Sequence, residues 1–331
     1  MKAFTYYRPK TAQQAVGLLD SKWGTTALLA GGTDLHDLQK EYVAQPEKVI
    51  SIGGITGLMG INADRNSVTI GAGTTIAAIA EHPRVRKAFP ALATAAGDVG
   101  GPQIRNMGTL GGNLCQRNRC WYFRDEHVKC LLKGGDKCFA LDGENRYHAI
   151  YTKGHKCVIV SPSTLAAPLI ALGAMVQVLG PKGKEEVELV GFFHAPESDE
   201  EREHILAPNQ IVLSVTIPER GLRSASYEVR HKHSNDWPLV QAAVAFQLQG
   251  GRARNVTVVL GHVAPKPLLA QSAAKVLEGQ QVNEETAAAA GAAVAKNANP
   301  LAQNGYKVKL VEVAVKRAIL TAAGHKKYWE A

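Results

Sequence analysis

Nowhere in the sequence do about 18 uncharged apolar residues follow one another, the length a membrane helix needs, so no membrane span is expected. A cleavable export signal is not expected either, because Arg8 and Lys10 fall where its apolar stretch would lie. Cysteine is absent before residue 115 and after residue 157, which speaks against the distributed disulfide framework of a small secreted domain. There is no C-x-x-C pair, no G-x-G-x-x-G and no G-x-x-x-x-G-K-[ST], so an ordinary dinucleotide fold or a P-loop enzyme finds no support. The formal charge of +9 comes from scattered Lys and Arg with no basic block interleaved with aromatics, so no nucleic-acid partner is expected. A basic surface that meets an acidic partner subunit or anionic cofactors accounts for the charge.

What is present is a chain of 331 residues, 45% hydrophobic, long enough for a real core and for two or three domains. Residues 1–60 alternate helix and strand: the helical pattern Thr11 to Leu19, then apolar strands at Thr26 to Ala30 and Lys48 to Ile52. From 61 to 220 come a strand at Ser67 to Ile70, helices at Ile76 to Ala80 and Ala91 to Ala96, a short helix at Leu165 to Leu172, and a strand at Met175 to Leu179. Pro181 to Glu186 is expected to turn a closing hairpin. The last third is separate in character, with strands near Ile211 to Ile217, Tyr227 to Arg230, Leu239 to Leu248 and Asn255 to His262, then helices at Lys266 to Glu278 and Glu284 to Ala295, and the C-terminal domain is taken as 221–331. The boundary is placed near Arg220 to Ser224, and the whole chain reads as α+β.

Two glycine turns stand out. Ala30-Gly31-Gly32-Thr33-Asp34-Leu35 follows a strand directly, and Thr109-Leu110-Gly111-Gly112-Asn113 comes about 80 residues later. Glycine permits the backbone angles and the close approach needed when several amides converge on a diphosphate. Two such turns suit loops that clasp one ligand between two small domains, although tight turns alone explain most glycine pairs. The cysteines crowd into a segment at about 115–160. Cys120, Cys130, Cys138 and Cys157 are separated by gaps of nine, seven and eighteen residues. Spacing leaves zinc and iron–sulfur both open, with the lack of tight pairs favouring iron–sulfur. Cys115 is the surplus thiol, read as a small side chain packed beside the second turn, and His127, His148 and His155 are read as surface histidines.

Taken together, Leu28 to Leu35, Ile70-Gly71-Ala72-Gly73-Thr74-Thr75, and Pro102 to Asn113 resemble the FAD-binding subunits of molybdenum hydroxylases of the xanthine dehydrogenase type. The resemblance extends to Phe4-x-Tyr6-x-Arg8-Pro9 at the start and to Gly261-His262-Val263-Ala264 and Asn304-x-Tyr306-Lys307-Val308 near the end. It implies a two-part FAD-binding α/β domain, PCMH-like and related to vanillyl-alcohol oxidase, followed by an α+β domain of the CO dehydrogenase flavoprotein type. Residues 1–60 and 61–220 would be the two FAD-binding parts and 221–331 the C-terminal domain. It places FAD on Leu29, Ala30, Gly31, Gly32, Thr33 and Asp34, on Thr109, Leu110, Gly111, Gly112 and Asn113, and, on the adenosine side, on Ser163 and Thr164. Where the family has Ser-Asp-Leu this chain has Ser163-Thr164-Leu165, a hydroxyl that bonds a ribose less strongly than a carboxylate does. Glu228 and Lys232 stand where relatives often carry lysine and arginine, and no catalytic role is assigned to either.

Asn118-Arg119-Cys120-Trp121-Tyr122 and Gly134-Gly135-Asp136-Lys137-Cys138 further resemble the subgroup with a [4Fe-4S] loop, which includes 4-hydroxybenzoyl-CoA reductase and certain bacterial aldehyde oxidoreductases. The resemblance therefore implies a [4Fe-4S] cluster on Cys120, Cys130, Cys138 and Cys157. It also implies a separate molybdopterin-containing large subunit, a [2Fe-2S] small subunit and an external electron acceptor, with no catalytic acid or base in this chain. A cytoplasmic location follows, or a periplasmic one by co-export with a partner. The alternatives from the residues alone are a zinc-stabilised, non-catalytic interaction protein and a stand-alone flavin oxidase.

Overall fold

The computed structural model describes residues 1–232, 236–327 and 329. Thr11 opens the first helix, Ala12–Leu18, by accepting the Gln14 amide. That helix joins β1 (Thr5–Tyr7) to β2 (Thr26–Leu29), and β3 (Lys48–Ser51) lies between them in a parallel sheet of order β1-β3-β2. Parallel neighbours need crossovers, which this helix and Leu35–Lys40 supply. The buried face holds Ala15, Val16, Ile50, Ile55 and Leu58, and it is closed by Leu179 and Ile211 from a second sheet.

The second sheet contains β4 (Ile61–Ala63), β5 (Ser67–Gly71), β6 (Met175–Gly180), β7 (Gly183–Glu188) and β8 (Ile211–Pro218) in the order β4-β5-β8-β6-β7. All its pairings are antiparallel, and the last strand in sequence is the central one. The expected turn over Pro181 to Glu186 shrinks to Pro181 and Lys182, because Gly183 already begins β7. Lys184, Glu185 and Glu186 are exposed on that edge strand, where charge discourages pairing with another chain. Helices Pro83–Ala88 and Pro90–Asp98 each start on a proline, whose missing amide costs nothing at a helix start. Behind them Phe89, Leu92, Leu169 and Phe192 fill the main core.

The third sheet is antiparallel, with order β12-β11-β10-β9, made of β9 (Arg223–Val229), β10 (Val240–Gln249), β11 (Arg252–Gly261) and β12 (Leu268–Leu269). Ala243 and Ala245 of β10 face the main core, whereas Ala242, Val244 and Phe246 face a second core under helices Gln271–Leu277, Glu284–Ala295 and Tyr306–Ala323. The helix expected from Lys266 begins only at Gln271, since Leu268 and Leu269 pair with β11. Among the described residues no helix is long and apolar enough to cross a membrane. Between helices Leu110–Cys115 and Ala166–Ala171 the chain has little regular structure, only the turns Trp121–Arg124 and Leu131–Lys133.

Candidate functional site

The first glycine turn leaves β2 and bends sharply. A Cβ on Gly31 would lie 1.7 Å from the Met107 carbonyl oxygen, so a hydrogen alone fits there. Gly32 has φ +75°, the left-handed region that suits glycine. Among the described residues, none of the amides of Gly31, Gly32, Thr33 and Asp34 meets an acceptor within the protein. Four adjacent donors left open make an anion-binding nest.

The second glycine turn is built differently. Thr109 caps the helix Leu110–Cys115, its hydroxyl accepting from the Gly112 amide at 3.1 Å. The Leu110 amide donates to Thr74 and the Gly111 amide to Ala72. These amides are already bound, so this turn differs from the expected open nest and acts as a rigid wall. Gly111 gives it closeness: a Cβ there would stand 3.0 Å from the Ala72 Cβ.

Two cavities meet at these turns. One, of about 350 Å³, is lined by Ala30, Gly31, Gly32, Thr109, Gly111 and Cys115. The other, of about 1120 Å³, holds Asn113, Trp121, Thr164 and Trp237 on its wall. Thr33, Asp34, Gly112 and Gln116 line both, so the spaces are continuous around the turns. Of the expected flavin residues, Leu29 and Leu110 line neither cavity. Leu110 is fully buried in the main core. Ser163 is also off the wall: its buried hydroxyl donates to Asn113 Oδ1 at 2.7 Å and accepts the Ala166 amide. Cys115 is a free thiol on the smaller cavity, and burial pushes it up to about 12.

The Asp34 carboxylate, on the wall of both cavities, is tied to the cysteine segment. It accepts from Arg119 and Arg124, both at 2.6 Å, and from the Arg117 amide at 2.9 Å. Burial would raise this acid, but the two guanidinium groups outweigh it and hold the carboxyl below the usual range. The sequence reading assigned Asp34 to FAD and missed the arginines. Their signal was three arginines at 117, 119 and 124 within one short run.

Cys120, Cys130, Cys138 and Cys157 converge. The Cys157 thiol hydrogen-bonds Cys138, and Cys120 lies within electrostatic reach of the other three. Backbone amides turn toward each sulfur: Tyr122 and Phe123 to Cys120, Leu132 to Cys130, Ala140, Leu141 and Val158 to Cys138, and Ile159 to Cys157. The Cys157 hydrogen bond and these amides lower Cys138, while burial pushes Cys120 up to about 12. Leu38, Phe123, Leu132 and Ile159 pack around the group. His148, expected at the surface, is instead buried with Nε2 3.2 Å from Cys120 Sγ. Burial and the nearby Lys307 pull its pKa down to about 4. Among the described residues no three His, Cys, Asp or Glu side chains are arranged to hold a single metal ion.

Compared with known proteins, residues 2–220 match the family model described as the FAD binding domain in molybdopterin dehydrogenase, and residues 225–322 match the CO dehydrogenase flavoprotein C-terminal domain. The chain belongs to this family of flavin subunits. The aldehyde oxidoreductase FAD-binding subunit PaoB of Escherichia coli is 34% identical over 94% of this chain and 96% of its own length. The carbon monoxide dehydrogenase medium chain of Hydrogenophaga pseudoflava is 28% identical over 96% of each. The solved carbon monoxide dehydrogenase from that organism, in a form lacking the Mo-pyranopterin moiety, has a chain that superposes with a TM-score of 0.76 at 28% identity, covering 97% of this chain and 96% of that one.

The larger cavity is framed from several parts of the chain. Thr164 lines the larger cavity, and its hydroxyl is 3.4 Å from His262 Nε2. Gln241 Nε2 donates to the Thr164 carbonyl at 2.9 Å, tying the third sheet to the wall. Glu228 lies buried behind it; burial raises its pKa to about 8, only partly offset by Arg230. Lys232 is exposed.

Proposed function

We propose that this flavin subunit is an electron relay, holding FAD across the two continuous cavities and a [4Fe-4S] cluster on Cys120, Cys130, Cys138 and Cys157. The open amides of Gly31 to Asp34 supply donors for the diphosphate, with the wall at Gly111 and Gly112 opposite. Asn113 lines the larger cavity, with its Oδ1 held by the Ser163 hydroxyl. The observation that carries the reading is the convergence of four soft sulfurs, each faced by backbone amides, beside the flavin space. Soft cysteine sulfurs met by backbone amides are the donor set an iron–sulfur cluster takes, and no three His, Cys, Asp or Glu side chains among the described residues are arranged for a single ion. Bound FAD and cluster would supply the exchange between two-electron and one-electron transfer.

The chain contributes the route. Trp121 follows Cys120 directly, and its side chain lines both the large flavin cavity and a 460 Å³ cavity that reaches Cys120 and His148. No side chain has to move a proton in such a relay, which leaves substrate selection to other subunits. A molybdopterin-containing large subunit, a [2Fe-2S] small subunit and an external acceptor complete the proposed pathway.

The test is iron content, the flavin spectrum and paramagnetic resonance after dithionite reduction, made on wild type and the five Cys→Ser variants. Wild type should carry one FAD and four irons per chain. Replacement at 120, 130, 138 or 157 should abolish the iron signal, and Cys115→Ser should keep it. Stoichiometric zinc, or an iron-free wild type, would sink the reading.

A further inference from the structure

His148 lies in the long stretch between Cys138 and Cys157. Its amide donates to the Asn145 carbonyl, and its own carbonyl accepts from Lys307 Nζ at 3.1 Å and Asn304 Nδ2 at 3.2 Å. Lys307 is a buried ammonium that also donates to the His262 carbonyl at 2.7 Å. The start of the C-terminal helix thus fixes the backbone of the histidine. Its ring is held edge-on by Trp121, with centroids 5.5 Å apart and planes at 70°, and the Tyr122 ring lies 6.3 Å away, tilted by 40°. A ring so enclosed has little freedom to turn away.

Its two nitrogens face different surroundings. Nε2 is 3.2 Å from Cys120 Sγ, while Nδ1 is buried with no partner. A neutral imidazole carries one N–H, and placing it on Nδ1 would strand a buried donor at a cost of about 1–3 kcal/mol. The proton belongs on Nε2, aimed at the sulfur. Among the described residues, His148 is the one side chain outside the cysteine set that hydrogen-bonds any of the four sulfurs. Cys120 is also the cysteine next in sequence to Trp121, which lines the flavin cavity.

We propose that His148 is a positioning residue that donates Nε2–H to the Cys120 sulfur and thereby raises the reduction potential of the cluster at its flavin-facing corner. This inference rests on the cluster reading above. A donor to sulfur stabilises the more negative, reduced state over the oxidised one, and hydrogen bonds to the sulfurs are among the protein's means of setting such potentials.

The experiment is a redox titration followed by paramagnetic resonance, with iron analysis, on the full chain and the variants His148→Phe and His148→Gln. Phe keeps a ring without a donor; Gln keeps an amide donor. His148→Phe should retain its iron and shift the reduction equilibrium about tenfold toward the oxidised form, which is about 59 mV for a one-electron couple. His148→Gln should recover most of that shift. If His148→Phe fails to fold, His148→Met against His148→Gln makes the same comparison. An iron-replete donor-free variant with the wild-type midpoint overturns the inference and leaves the cluster reading standing. Loss of iron from the donor-free and Gln variants alike also overturns it, since the histidine would then hold the site together. An iron-free wild type overturns the cluster reading itself, and this inference with it.

Discussion

Asp34 shows how far a single side chain was legible. The sequence marked it as the acid closing a glycine turn, and the turn is where the reading put it, yet the carboxylate reaches 85 and 90 residues along the chain to Arg119 and Arg124. The run of arginines at 117, 119 and 124 marks a cationic cluster but carries no periodicity that would pair it with Asp34. Ser163 carries a similar ambiguity: a hydroxyl that suits a ribose also suits the start of a helix, and here it binds Asn113 and the Ala166 amide. Removing the Asp34 charge leaves two mostly buried guanidiniums, with side chains 21% and 14% exposed, without their anion. Asp34→Asn should therefore destabilise by about 2–4 kcal/mol and make the segment near Arg117 to Arg124 the first site of limited proteolysis. Urea unfolding with mapped proteolysis checks this, and an unchanged midpoint would count against the ion-pair account.

Among the elements, strong periodicity and clear caps were readable. Glu284–Ala295 was read to the residue, and Asn283 closes its start with a capping box through Thr286. Asn283→Ala should cost about 1 kcal/mol, visible as a lower midpoint with an unchanged denaturant slope; no loss would mean the box contributes nothing. The neighbouring helix Tyr306–Ala323 went unread, although Val311, Ala314, Val315, Ala318, Ile319 and Ala322 lie at helical spacing. Its many lysines and lack of an N-terminal side-chain cap hid its start. What lets it approach Glu284–Ala295 is Gly291, where a Cβ would stand 2.5 Å from the Glu312 carbonyl, a contact that alanine richness alone does not announce. The helix expected from Lys266 starts later because Leu268 and Leu269 join the edge of a sheet. β11 begins at Arg252, three residues before the expected Asn255, which sits within the strand at φ +53° where the register against β10 shifts.

For the whole molecule, buried histidines set the acid limit. Burial lowers His204 to about 4 and His262 to about 3, from 6.5. A group lowered in this way binds its proton more readily when unfolded, so its contribution is intact above about 6.5 and is lost as pH falls toward the folded value. Glu228, raised to about 8, works in the opposite sense between 4.5 and 8 and offsets part of that loss. The melting temperature should therefore fall as pH goes from 7 to 5, and a flat or rising profile would refute the assignment. The sheet order carries a different consequence, one of timing. β8 joins β5 to β6, and it comes last of the five strands. A ribosome that has delivered the chain as far as Glu188, with both glycine turns and all five cysteines, has delivered only two separate hairpins of this sheet, each marginal in water on its own. The sheet that joins the two hairpins exists only once Ile211 to Pro218 has emerged and slid between them.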